Sequence, residues 1–308
     1  MPAIITHHIF GEDASNLLPE GLLTCEEDLL AFLLGNQGPD PFWARIRTLP
    51  RRAKTCHVLA NAMHSSHIVD TFLVLRDCAA HVRDDDKTIA RAFTLGFAAH
   101  YVLDRIAHPL IYAQQFALME ANEELADASG EIHALLEAEI DAWMLWQKRQ
   151  MTVLDVPCSA ALASTERINR VIGALLSQVA WQVYGLDLGA AEYDKALADY
   201  RLLYKVIDPP AHLAPRLLAH TEKAVRPHSR LLAQSHPIVC GDDCDAANLN
   251  HALWRDPVTG ERSTASFPDL FHDALLAYLE FSRRVAEGNR DRIAAMVDGS
   301  AYGGAFES

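Results

Sequence analysis

The chain has 308 residues, 50% of them hydrophobic, and a formal net charge of −14 from 41 acidic and 27 basic residues. A non-specific nucleic-acid binder needs a positive surface that displaces counterions from phosphates, so this charge argues against that class. The sequence has no apolar run of about 18 residues, and its first residues lack the basic region and apolar core of a signal peptide. We therefore expect a globular protein without a transmembrane segment and, by default, a cytoplasmic location.

Helical patterns dominate the chain. The capping-box sequence at 24–27 precedes an apolar run and predicts a helix over 28–34 that ends at a glycine. Pro109 is at a position that helices favour for their first residue, and it predicts the start of a new helix. Further helical patterns cover 110–127, 131–150, 161–184, 190–206, 213–234 and 267–287. No long alternating strand pattern occurs, so the sequence predicts an all-α fold, organised as one domain over 1–308.

Residues 96–109 contain two histidines and an aspartate at regular spacing. His100, Asp104 and His108 are separated by four residues each. Residues four apart lie on one face of an α-helix, so these side chains share a single stripe. Imidazole nitrogens and carboxylate oxygens bind Zn²⁺ at about 2.0–2.2 Å. A single His/Asp pair at this spacing would more often be a helix with hydrogen-bonded histidines, but three potential ligands on one stripe indicate a metal site.

A second stretch, residues 131–141, repeats this arrangement. His133 and Glu137 are four residues apart, and Asp141 continues the stripe by one turn. Apolar residues occupy the other helical rows, which predicts a second amphipathic helix. Helical bundles build metal sites of several ions from inward-facing histidines and carboxylates on facing helices. A buried stripe of carboxylates without a metal would be costly, because unpaired charges are rarely buried, so the second stripe also indicates bound metal.

Together these motifs resemble the zinc-dependent phospholipase C family, which is related to the fungal single-strand nucleases. The blocks at 2–7, 35–42 and 60–64 are similar to blocks of that family and follow in the same order. The resemblance covers 2–141, and 142–308 would supply supporting helices. It implies a multi-helix bundle with eight metal ligands: His7, Asp40, His64, His100, Asp104, His108, His133 and Glu137.

The resemblance implies a cluster of two to three zinc ions. One half of it would consist of His7, Asp40, His64, His100 and Asp104, with Asp104 bridging. The remaining ion would be bound by His108, His133 and Glu137. The interval from Asp104 to His108 is shorter than in the secreted bacterial members and is similar to that of some eukaryotic relatives that act on glycosylphosphatidylinositol. Whether the amine of Pro2 is a further ligand stays open.

The implied activity is hydrolysis of a phosphoric ester, in particular a phosphodiester, by a metal-activated hydroxide. Asp40, which lies between two prolines in a rigid turn, would orient or deprotonate the attacking water. The substrate would be a small phosphoester or a phospholipid. Two alternatives stay open. One is a nuclease or nucleotidase on the same scaffold, which needs a basic or aromatic groove. The other is a non-catalytic protein whose zinc ions only hold the helices together.

The other histidines and the cysteines are interpreted as structural. His67, three residues after His64, is expected on the same helix as a bystander. The six cysteines lack the short paired spacings of a zinc finger and are expected to be reduced, with Cys240 and Cys244 in a surface loop. Four histidines recur every eight residues, but this spacing drifts around a helix and prolines interrupt it, so we interpret the recurrence as coincidence. They are His212, His220, His228 and His236.

Overall fold

The computed structural model describes residues 4–208, 222 and 228–304, and the regular structure within them is almost entirely helical. The α-helices are α1 (Ile4–Ser15), α2 (Glu26–Gly35), α3 (Pro50–Ser65), α4 (Ile68–His81), α5 (Lys87–Ala121), α6 (Ser129–Arg149), α7 (Glu166–Gln182), α8 (Ala191–Ile207), α9 (Arg230–Ala233), α10 (Phe267–Glu287) and α11 (Arg290–Val297). Short 3₁₀ helices lie at Asp40–Ala44, Asp84–Asp86, Glu123–Leu125, Cys158–Leu162 and Asp245–Ala247. The strands β1 (Trp254–Arg255) and β2 (Arg262–Ser263) pair antiparallel. The predicted all-α fold is confirmed.

Helix α5 has 35 residues and packs against α2, α4, α6 and α10. Its contact with α2 is close because two glycines meet there. A Cβ atom on Gly96 would lie 2.0 Å from the carbonyl oxygen of Phe32, and one on Gly35 would lie 2.4 Å from that of Phe93. Any larger residue at either position would push the helices apart. This approach brings the turn after α2 against the middle of α5, where His100 lies.

The helix boundary predicted at Pro109 is wrong, because α5 continues through this residue. Proline inside a helix removes a backbone hydrogen bond and clashes with the preceding turn, at a cost of about 3 kcal/mol. The next residues, Leu110 and Ile111, are buried in the core. Burial of such side chains contributes roughly 1.5–3 kcal/mol each, which offsets that cost. The uninterrupted helix keeps His108 on the same stripe as Asp104.

Other predicted helices are found with small shifts at their ends. The helix predicted at 267–287 is α10, and that at 131–150 is α6. Helix α2 begins before the predicted residue, and Glu27 does not form the predicted capping box. Instead the Asp28 carboxylate accepts hydrogen bonds from the Thr24 amide at 2.9 Å and from the Thr24 hydroxyl at 2.7 Å.

The sequence prediction fails for His67, which does not continue the helix of His64. His67 has a left-handed backbone conformation (φ 57°) and separates α3 from α4. Most of the helix predicted at 213–234 lies outside the described residues, as do His212 and His220 of the histidine recurrence.

A contiguous cluster of buried apolar side chains extends from Ile4 in α1 to Tyr302 after α11. The single-domain organisation stays a prediction. Within 4–208 and 228–304, none of the helices is both long enough and apolar enough to cross a bilayer. The six cysteines are unpaired, and Cys240 is exposed while Cys244 is half-buried. The cytoplasmic location stays a prediction as well.

Candidate metal centre

Three groups of potential metal ligands surround the middle of α5. Within each group, one ligand atom from every residue lies within 4.8 Å of the others. The groups are His7, His100 and Asp104; Asp40, His64 and His100; and His108, His133 and Glu137. They contain all eight residues that the sequence analysis assigns as ligands, and His100 belongs to two of them. The structure therefore brings the eight residues together, while their binding of metal stays a prediction.

Asp104 lies between the first and the third group. Its Oδ1 atom is 2.9 Å from Nε2 of His7 and 3.6 Å from Nδ1 of His108. Its Oδ2 atom is 3.4 Å from Nε2 of His100. The residue is buried, on the inward face of α5. The two carboxylate oxygens thus face the Nε2 atoms of two different histidines, His7 and His100, and the bridging role of Asp104 stays a prediction.

Asp40 enters the second group from the turn after α2. Its Oδ1 atom lies 3.1 Å from Nε2 of His64, which comes from α3. The turn depends on Gly38, which has a positive φ of 52° and would place a Cβ atom 2.2 Å from the His100 ring. Only glycine allows the turn to pack against His100, and this packing puts Asp40 beside it.

A buried ion-pair network anchors the segment that follows Asp40. Arg45 donates through Nη1 to Oδ2 of Asp199 at 2.7 Å and through Nε to Oε2 of Glu192 at 2.9 Å. Both carboxylates belong to α8, and all three residues are buried. A buried ion pair is stable only when its charges are well compensated. The network ties the Asp40 segment to α8.

The third group joins α5 to α6. Oε1 of Glu137 lies 3.1 Å from Nε2 of His133 and 3.5 Å from Nε2 of His108. The two histidine rings are stacked, with their centroids 5.3 Å apart. His108 therefore reaches the third group in spite of its short interval from Asp104.

In four of the histidines, Nδ1 faces an oxygen atom that fixes the orientation of the ring. The pairs are His64 with the Ala60 carbonyl at 2.7 Å, His108 with the Asp104 carbonyl at 2.9 Å, His100 with the Asn36 carbonyl at 3.0 Å, and His133 with Oε1 of Gln115 at 3.0 Å. These acceptors assign the proton to Nδ1 and leave the lone pair of Nε2 for another partner. Metal-binding histidines typically have such outer partners.

The separations between the ligand atoms fit zinc. Two atoms at about 2.1 Å from a tetrahedral ion lie roughly 3.4 Å apart. The contacts between histidine Nε2 atoms and carboxylate oxygens in the three groups run from 2.9 to 3.5 Å. Nε2 of His100 is buried and makes no hydrogen bond within the described structure. A cation among these atoms would satisfy it.

The carboxylates of the three groups are ionised in spite of their burial. Burial raises the pKa of Asp104, but the charges of the neighbouring histidines hold it well below its usual value. The pKa values of Asp40 and Glu137 are also lowered, against the effect of burial, and the histidines beside them contribute to this lowering. Metal binding requires deprotonated ligands, and these three already meet that condition.

The histidines differ in charge. Burial lowers the pKa of His100 to about 4 and also lowers that of His133, so both rings are neutral near pH 7. For His108, burial opposes the charged form, but Asp104 and Glu137 outweigh it and raise the pKa to about 9. The third group thus attracts positive charge, which a divalent ion can supply in place of the His108 proton.

A cavity of about 20 Å³ lies between the first and the third group. Its lining includes His7, Asp104, His108 and Glu137. A single water molecule needs about 10–15 Å³ by this measure, so the space admits one small ligand between the two groups.

Asp141 belongs to none of the three groups, although it continues the predicted stripe on α6. Its carboxylate accepts hydrogen bonds from the amides of Ile5 at 2.9 Å and Thr6 at 2.7 Å. The first amides of a helix lack internal partners, and negative charge is favourable there. Asp141 thus holds the start of α1, and with it the position of His7.

Three aromatic side chains that the sequence analysis did not single out contact the histidines. Trp43 stacks on His64 with ring centroids 4.4 Å apart, and Tyr302 lies 4.8 Å from the same ring. Tyr112 lies 5.2 Å from His133. Trp43 is close to Asp40 in sequence, and this closeness could have indicated that Trp43 lies beside the predicted ligands. Tyr302 is remote in sequence from every ligand, so nothing in the sequence indicated its place.

The fold and the site define a class of protein: a helical bundle with a centre of clustered histidines and carboxylates that are potential metal ligands. The family model described as zinc dependent phospholipase C matches residues 6–182, more than half of the chain. The protein belongs to this family, whose name indicates zinc as the metal. No curated protein and no solved structure matches the chain.

Proposed function

We propose that this protein is a zinc-dependent phosphodiesterase whose substrate is a phospholipid or another small phosphodiester. One observation carries the proposal: the eight predicted ligands converge around α5 in groups that share His100 and meet at Asp104. Membership of the zinc dependent phospholipase C family supports both the metal and the class of reaction.

The residues of the centre would hold two or three zinc ions. One half would use His7, Asp40, His64, His100 and Asp104, and the other half His108, His133 and Glu137. Bound zinc lowers the pKa of a water ligand to near neutrality and offsets the charge of a phosphate group.

The number of protein ligands favours an enzyme over a purely structural zinc site. The third group offers three protein ligands, and the first two groups, which share His100, offer five between them. Structural zinc sites are usually closed by four protein ligands, whereas catalytic sites keep one position for water or substrate. The cavity between the first and the third group provides room for such a water molecule.

Asp40 is proposed to act on the attacking water in addition to binding metal. It is buried, and the Gly38 turn and the Arg45 network restrict its backbone. A carboxylate held in this way can accept a hydrogen bond from water and draw its proton in a defined direction. Its role is therefore to orient the nucleophile.

The proposal is tested by metal analysis of the purified protein followed by a substrate panel. The panel contains phosphatidylcholine vesicles, a chromogenic aryl phosphodiester, a phosphomonoester and single-stranded DNA. We expect at least two zinc ions per chain and cleavage of the phosphodiester or of the phospholipid. Cleavage of DNA alone would favour the nuclease alternative. A folded, zinc-loaded protein that cleaves nothing on the panel would favour the non-catalytic one.

A further inference from the structure

A fourth group of potential metal ligands lies apart from the eight residues of the centre and contains a cysteine. Sγ of Cys158, a carboxylate oxygen of Asp208 and a ring nitrogen of His236 lie within 4.8 Å of one another. Cys158 begins a 3₁₀ helix, Asp208 follows the end of α8, and His236 follows α9. From the sequence, Cys158 is interpreted as structural and the recurrence that includes His236 as coincidence. The group forms only when three distant segments meet.

Nδ1 of His236 lies at the centre of this group. It is 3.2 Å from Sγ of Cys158 and 2.9 Å from Oδ2 of Asp208. The three ligand atoms lie close enough for one cation placed between them to contact all of them. Zinc bonds of about 2.3 Å to sulfur and 2.0 Å to nitrogen place the two ligand atoms roughly 3.5 Å apart. A small outward shift of these side chains would therefore admit the ion.

Two of the three side chains are oriented toward the group by outer partners. Nε2 of His236 lies 3.0 Å from Oδ2 of Asp141, which assigns a proton to Nε2. Oδ1 of Asp208 accepts the backbone amide of His236 at 2.9 Å, and this bond directs Oδ2 toward Nδ1. A carboxylate behind a histidine is a common outer partner of metal-binding imidazoles.

The group is buried and does not suit an ionised nucleophile. Cys158 is 3% exposed and His236 is 1% exposed. Burial raises the pKa of the Cys158 thiol to about 12, so the sulfur stays protonated near pH 7 unless a cation is present. A bound metal ion deprotonates the thiol that coordinates it. The thiolate and the Asp208 carboxylate then bring two negative charges, which one divalent ion neutralises as the thiol and Nδ1 protons leave to solvent.

A cavity borders Cys158. This cavity measures about 60 Å³, and its lining includes Cys158 together with the partly exposed residues His8 and Arg149. Two of the three ligands, Asp208 and His236, lie beyond residues 6–182, the part of the chain that the family model matches.

We propose that Cys158, Asp208 and His236 bind one further Zn²⁺ ion, with a solvent molecule in the fourth position. A mixed set of sulfur, nitrogen and oxygen ligands suits zinc. The ion would tie the ends of α8 and α9 to the 3₁₀ helix of Cys158. Because none of the eight ligands of the centre is a cysteine, this site can be tested independently of phosphodiester hydrolysis.

The test is reconstitution of the metal-free protein with Co²⁺, followed by near-ultraviolet absorption and metal counting. A cobalt–thiolate bond produces a charge-transfer band that histidine and carboxylate ligands do not. We expect this band in the wild-type protein and in the control Cys78→Ala, whose half-buried thiol belongs to none of the four groups. We expect Cys158→Ala to lose the band and one equivalent of metal per chain, with its helical circular dichroism unchanged.

A wild-type protein that takes up Co²⁺ without a thiolate band would overturn the proposal, and so would a band that persists in folded Cys158→Ala. If Cys158→Ala does not fold, Asp208→Asn decides, because it keeps the thiol and removes one charged ligand. A thiolate band that shifts or weakens in Asp208→Asn supports the site. A band identical to that of the wild type overturns it.

Discussion

Asp104 and His7 are 97 positions apart in the chain, yet Oδ1 of Asp104 lies 2.9 Å from Nε2 of His7. This contact joins the middle of α5 to the first described helix. The start of α1 is held in turn by Asp141 on α6, which accepts the amides of Ile5 and Thr6. The first half of the candidate centre therefore depends on how α1 docks against two other helices.

Asp104→Asn should abolish most of the phosphodiesterase activity. The substitution removes a negative charge and a ligand from the point where the first and third groups meet, with little change in volume. Since a single electrostatic group in an active site contributes about 100-fold or more to the rate, we expect activity to fall by at least about a hundredfold. Steady-state rates and circular dichroism on the same preparation would measure this.

His67→Ala is the matched control for Asp104→Asn. His67 is near a predicted ligand in sequence, but it is exposed and its carboxylate contact is Asp70, at 3.7 Å. The phosphodiesterase activity of His67→Ala should stay within a few-fold of that of the wild type. If Asp104→Asn loses zinc and unfolds while the wild type cleaves no substrate, the metals are structural.

His108→Ala should lose one zinc ion per chain. His108 connects Asp104 to the third group, and its removal leaves only His133 and Glu137 for that ion. Metal counting on folded protein is the measurement. His228→Ala serves as the control, because His228 contacts the Glu124 carbonyl and belongs to none of the groups. Equal zinc contents in His108→Ala and in the wild type would remove His108 from the ligand set.

Asp199→Ala should destabilise the protein by about 1.5–3 kcal/mol, because the buried Arg45 guanidinium loses its shortest charged hydrogen bond while it keeps the one to Glu192. Urea unfolding followed by circular dichroism would measure the change. Asp84→Ala removes an exposed contact with Lys87 and should leave the unfolding midpoint nearly unchanged. Similar midpoints for the two variants would show that the Arg45 network contributes little to the stability of the fold.

The sequence predicted that the candidate ligands on α5 share one face of that helix, and likewise those on α6, because an interval of four residues on a helix places side chains on one face without further information. His7, Asp40 and His64 were predicted from the resemblance to a family, since their approach to α5 depends on contacts between distant segments. His236 was missed for the same reason. Cys158 and Asp208, which contact His236, are remote from it in the chain. The regular spacing of His236 from the other histidines is unrelated to these contacts.

The helix boundaries show the limit of local signals. Pro109 favoured a new helix by local preference, but burial of the next residues, Leu110 and Ile111, keeps α5 continuous. A histidine does not by itself predict a left-handed backbone conformation, yet His67 adopts one at the junction between α3 and α4. At Pro109 tertiary packing outweighs the local preference.

The most direct test of the central claim is the rate of phosphodiester cleavage by one preparation before zinc removal, after it, and after zinc is restored. We expect the rate to fall at least about a hundredfold on chelation and to return on addition of Zn²⁺, because the metal activates the water and stabilises the phosphate charge. The account is contradicted if the folded protein, with its zinc restored, cleaves no phosphodiester, or if it cleaves one at the same rate without metal.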